Sequence, residues 1–168
     1  MISLYRLLDE HRDHIIAILL NRVPREVKAY RKIPRPELRA SIDHLFDAYV
    51  EFLLTGEITG LKSVFKYIAR VRFTQGFSAG EIIHALLMFS SVMRCILQEE
   101  FRKHPGDGQA MFNKAMAHIE RSTSDGVATF AEVFQEYVQS RVDQHNDYLN
   151  ERKEKLGIDL SKFILFRA

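Results

Sequence analysis

Glu81 and His84 stand three residues apart in the stretch RVRFTQGFSAGEIIHALLMF, residues 70–89. On a helix that spacing puts a carboxylate and an imidazole on one face. It is the half-motif of a di-iron carboxylate bundle, which needs a second E-x-x-H and two further inward glutamates. The chain has no second E-x-x-H. Ser78, three residues before Glu81, gives the carboxylate a structural task instead, as the far half of a capping box. His84 on an apolar helix has the chemistry of an axial haem ligand, and His44 could serve as a polar handle in a pocket. His11 and His14 lie one turn apart, but two ligands do not make a zinc site. Cys95 sits among Met93, Ile96 and Leu97 with no motif that would lower its pKa, which predicts a packed, inert thiol. No nucleophile elbow, phosphate loop or dinucleotide fingerprint is present. The expectation is therefore no catalytic residue, no metal and no cofactor.

Arg70, Arg72 and Gln75 precede Gly76 in the same stretch. As cations near a helix C-terminus they complement the macrodipole. A sharper reading makes them a polar network that ties the corner to a neighbouring helix or grips an anionic ligand. With His44 and His84 they are the candidate pocket residues.

The elements that must position these residues are all helical. A first helix is expected from Leu4 to Arg22, capped by Ser3 and closed by Pro24, with Leu4, Leu7, Leu8, His11, Ile15, Ile18 and Leu19 on one stripe. A short helical segment follows over 25–31. A third helix starts near Pro36 and runs to Leu54, with Leu38, Ile42, Leu45, Phe46, Tyr49, Phe52 and Leu53 inward, and Gly56 ends it. The fourth spans about 61–74, with Val64, Phe65, Ile68 and Phe73 apolar. The fifth spans about 79–103. It carries one stripe of Ile82, Leu86, Phe89, Met93 and Ile96 and a second of Ile83, Leu87 and Leu97, as expected of a central helix. HPGDG at 104–108 reads as a loop. The last helix is expected from Gln109 to Lys155, with Gly126 as a bending point. Beyond Gly126, residues Val127, Ala131, Phe134, Val138, Val142, His145, Leu149, Arg152 and Leu156 step by threes and fours, like a coiled-coil seam that turns polar. A short apolar tail follows Gly157, with Asp159 as a cap and Phe163, Ile164, Leu165 and Phe166 in need of cover. The predicted fold class is thus an all-α helical bundle of five to six helices with a long C-terminal helix. The expected domain division is 1–156 for the bundle and 157–168 for the tail.

At 168 residues the chain is long enough to bury one core without staples. A single cysteine excludes an internal disulfide and fits a reducing compartment. The charged N-terminus is not a signal peptide, and the longest aliphatic run, IIAILL, is far short of a bilayer span. The chain is read as cytoplasmic, with no membrane partner. Residues 22–39 hold seven basic side chains against Glu26 and Glu37, and residues 120–155 hold eight acidic against five basic. Such asymmetry steers a partner or a second copy. Nucleic-acid binding through 22–39 is the weakest reading, because interleaved aromatics and a helix-turn-helix signature are missing.

Ala69, Arg70, Arg72, Gln75, Gly76, Phe77, Ser78 and Glu81 together form a corner that resembles the helical N-terminal domain of RsbT co-antagonists of the RsbRD type. LLDEHRDHIIAILLNRV and the LLTGE that closes the third helix are similar to that domain as well, and the likeness covers roughly residues 4–140. The resemblance implies a bacterial signalling or stress-response domain, sometimes globin-like without haem. Such a domain receives a signal or a protein partner and does not catalyse. In the family a transmitter follows; no recognisable output domain follows residue 156 here, which implies action through protein contacts or separation from a transmitter. A homodimer through the last helix is the expected assembly. The rival expectation is a small-molecule or haem sensor pocket lined by the fifth helix.

Overall fold

The computed structural model describes residues 4–103 and 106–156. The Ser3 cap, part of the 104–108 loop and the apolar tail fall outside them. Among the described residues every regular element is helical: α1 Leu4–Glu10, α2 Arg12–Glu26, a 3-10 turn Lys28–Lys32, α3 Arg35–Thr55, α4 Thr59–Thr74, α5 Ala79–Arg102 and α6 Gly108–Leu156. The all-α bundle with a long last helix is thus the observed architecture.

The expected first helix is two helices, broken at His11. Helical hydrogen bonds still run through the break, from the His11 N–H to the Leu7 carbonyl and from the Ile15 N–H to the His11 carbonyl, and tertiary contacts gather there. His11 lies 3.4 Å from the Glu100 carboxylate on α5. Arg12 reaches the other way, forking onto Asp47 of α3 at 3.0 and 3.1 Å with its guanidinium over Phe46. Pro24 does not close α2, which continues to Glu26. Proline cannot donate to the carbonyl four residues back and its ring crowds that carbonyl, and α2 absorbs both in its last turn.

The segment expected as a short helix is the 3-10 turn, which buries Tyr30. In α3 all seven expected inward residues are buried. Gly56 ends it at φ 75, with its N–H on the Phe52 carbonyl at 2.9 Å, the left-handed stop that a side chain would strain.

α5 is the core helix. Ile82, Leu86, Phe89, Met93 and Ile96 are all buried, as are Ala85, Met88, Val92, Leu97 and Phe101. Leu87, expected on the second stripe, is 49% exposed, and Ile83 is half-buried. The buried arc turns toward Met88 and Val92, not Leu87. By length and composition α5 would also pass for a bilayer-crossing helix, but half of its most apolar window is buried in the bundle. Cys95, expected to be packed, is exposed on the outer face of this helix. The residues beside it in sequence turn inward, but its own position points out.

The chain divides into two units, Met1–Phe134 and Gln135–Ala168, with the boundary inside α6. Within the first unit α6 buries Met116, Ile119, Ser122, Thr123, Phe130 and Val133. The expected seam fails in this part: Ala131 is exposed, while Phe130 and Val133 point inward. The buried positions Met116, Ile119, Thr123, Gly126, Phe130 and Val133 still step by threes and fours, but the row lies one residue out of phase with the expected seam. Tyr49 pins this stretch to α3, donating to the Ile119 carbonyl at 3.1 Å and meeting Thr123 Oγ1 at 2.7 Å. In the second unit α6 carries Val142, Tyr148 and Leu149 exposed at 47, 54 and 41%.

Candidate functional site: the Arg72 corner

α4 ends in Thr74, and Gly76 reverses the chain at φ 79. Ser78 then caps α5. Its hydroxyl accepts from the Glu81 N–H at 3.3 Å, and the Glu81 carboxylate accepts from the Ser78 N–H at 2.9 Å. The Ser78 N–H, and after it the Ser78 hydroxyl, which donates to Glu81 Oε2 at 2.9 Å, hold the Glu81 carboxyl below its usual range. The capping box is formed as the sequence predicts, and Glu81 is occupied by it.

The turn places Arg72 where its guanidinium must be satisfied inside the protein, since only 2% of the residue is exposed. It donates to Glu37 Oε1 at 2.8 Å, to Gln75 Oε1 at 2.6 Å and to Ser41 Oγ at 3.1 Å. Gln75 closes the ring by donating to Glu37 Oε1 at 3.0 Å. The guanidinium also lies 5.4 Å from the Tyr30 ring and 5.6 Å from the Phe77 ring, with a cation–π contact to each. Lys32 donates to the Gln75 carbonyl and sits over Phe77. The bond from Gln75, aided by Arg72, holds the Glu37 carboxyl below its usual range. Burial pushes the Tyr30 phenol up to about 12, against the pull of Arg72.

Arg72 and Gln75 therefore meet in one network, which binds the α4–α5 corner to α3 and to the 3-10 turn. The other three candidate pocket residues lie elsewhere. Arg70 is exposed beside Tyr67, 5.9 Å from its ring. His44 is exposed on α3. His84 is exposed and stands 4.0 Å from Glu26. Glu37, Ser41 and Tyr30 complete the network, yet none was a sequence candidate. Glu37 and Ser41 are four residues apart and so share a face of α3. That pairing is visible in the sequence, but its match to Arg72 is a tertiary fact.

The hydroxyls at the corner are engaged structurally, Ser41 by Arg72 and Ser78 by the capping box. Among the described residues no three or more His, Cys, Asp or Glu side chains form a metal-binding group. Two small cavities lie among the helices, one of them beside the network. One of about 30 Å³ is bordered by Arg72, Ser41, Tyr30 and apolar residues of α2 to α5. The other, of about 20 Å³, lies between Tyr49, Phe65 and Gly126. Each has room for about one water-sized guest, and neither His44 nor His84 lines them.

No curated protein and no solved structure matches the chain. The family model for the RsbT co-antagonist protein RsbRD N-terminal domain matches residues 10–147. That span contains the whole Arg72 corner and most of the bundle. The chain therefore belongs to the RsbRD N-terminal domain family, whose members are regulatory domains of stress-response signalling.

Proposed function

We propose that this chain is a non-enzymatic, cytoplasmic sensory and protein-interaction domain that works as a homodimer joined through residues 135–156 of α6. The observation that carries the reading is the exposed apolar row Val142 and Leu149, with half-buried Val138 one turn before them. Glu136, Asp143, Asp147, Glu151 and Glu154 recur at helical spacing on the opposite face, all exposed. A helix so divided has one face for water and one for a like partner. His145 and Arg152 fall on the apolar row, and polar residues there trade stability for register. Two arrangements close in energy are what a signal of modest size needs in order to shift a balance. A parallel pair is the arrangement that delivers both C-terminal ends to the same output.

Disulfide trapping tests this. In a Cys95→Ser background, Leu149→Cys should cross-link between copies under mild oxidation. Asp147→Cys, about 200° away around the helix, should not. Equal trapping at both positions, or none at Leu149→Cys, would count against the seam.

The rival reading, a small-molecule or haem sensor pocket, has only the cavity bordered by Arg72, whose about 30 Å³ is water-sized. A Soret band in protein purified without added cofactor, or a co-purifying small molecule, would favour it over the interaction reading.

A further inference from the structure

A groove of about 290 Å³ opens on the surface between α1 and α3. Its floor is Phe46 and Val50, and Tyr5 and Leu54 stand in it 48 and 52% exposed. Its polar lining is mainly carboxylate: Asp9 on α1, Asp47 and Glu51 on α3. The lining has one cation, Arg12, already engaged by Asp43 at 3.3 Å and by Asp47 at 3.0 Å. Asp9 and Glu51 make no ion pair among the described residues. The groove is thus apolar below and negative along its edges. Phe46 and Val50 are themselves covered, 2 and 8% exposed, so the accessible apolar surface of the groove is Leu54 on α3 and Tyr5 on α1.

We propose that this groove receives a helical segment of a partner protein that carries lysine or arginine beside leucine or phenylalanine at helical spacing. Such a segment lays its apolar side chains on Leu54 and Tyr5 and points its cations at Asp9 and Glu51. The sign of the groove argues against the other macromolecular partners. Carboxylate walls repel phosphate backbones and anionic lipid alike. The apolar floor argues against a bare cation. This inference rests on the reading of the chain as an interaction domain and gives it a second surface, on different helices from the α6 seam.

The test uses the full chain and a fluorescein-labelled amphipathic helix of leucine and lysine, with a glutamate-for-lysine counterpart, read by fluorescence polarisation. The lysine peptide should bind and the glutamate peptide should not. Leu54→Ser, and separately Asp9→Asn with Glu51→Gln, should each weaken binding by roughly tenfold or more, the size expected when a docking anchor is lost. Glu132→Gln with Glu136→Gln makes the same charge change on α6 and should leave affinity unchanged. All these positions are exposed, so the fold is not at stake, and unchanged melting of each variant checks that. Equal loss in the α6 control would reduce the effect to general charge attraction and overturn the proposal. So would retained affinity in Leu54→Ser, or no binding of either peptide. Seam trapping at Leu149→Cys, measured on the same proteins, is indifferent to the groove, so failure here is separable from failure of the dimer.

Discussion

Arg72 is the side chain on which the corner depends. A buried guanidinium that loses its partners is costly, and so are partners that lose the guanidinium. Arg72→Ala removes the donors that Glu37, Ser41 and Gln75 share, and it empties the space between Tyr30 and Phe77. A loss of about 3 kcal/mol in urea unfolding is expected. Arg72→Lys should recover little of it, because an ammonium cannot fork onto Glu37 and Ser41 together. A lysine variant as stable as wild type would show that charge alone suffices. Acid provides a second handle on the same residues. Glu37 titrates below its usual value in the folded protein, so the stability it contributes is present above about pH 4.3 and is lost as pH falls through the lower, folded value. Glu37→Gln should flatten the acid limb of the melting-temperature profile below that pH. The site was only partly legible in the residues. Ser78 and Glu81 announce a capping box by their spacing alone. Arg72 and Gln75 were readable as a network, but its acceptors on α3 lie 35 and 31 residues earlier in the chain. No local pattern joins positions that far apart.

At the scale of elements, long stripes were readable and ends were not. The α3 stripe follows from periodicity because one face of that helix meets the core throughout. The break at His11 does not; it falls where His11 and Arg12 meet Glu100 and Asp47 on two other helices. The one-residue offset of the buried α6 row from the expected seam is likewise set by what the helix packs on. Gly126 illustrates the point. The sequence offered it as a bend, but α6 is helical through it, and the residue is buried. A Cβ there would meet Leu61 at 3.7 Å and Phe65 at 3.9 Å, ordinary contact distances. Gly126→Ala should therefore stabilise the protein by about 0.5–1 kcal/mol through reduced backbone entropy in the unfolded chain. A thermal midpoint lowered by this substitution would mean that the close approach of α4 to α6 requires the glycine.

For the whole molecule, the family assignment supplies the setting, regulation in stress-response signalling, and the proposed dimer supplies the means. Val142 and Leu149 are exposed in the single chain, so glutamate at both positions disturbs no core packing. Its effect would fall on association alone. Sedimentation equilibrium at micromolar protein measures that association directly. The wild-type chain should sediment as a dimer, and the Val142→Glu, Leu149→Glu variant should shift toward monomer with its melting unchanged. A wild-type chain that stays monomeric across that range would contradict the account, and signal transmission through the α6 seam would go with it.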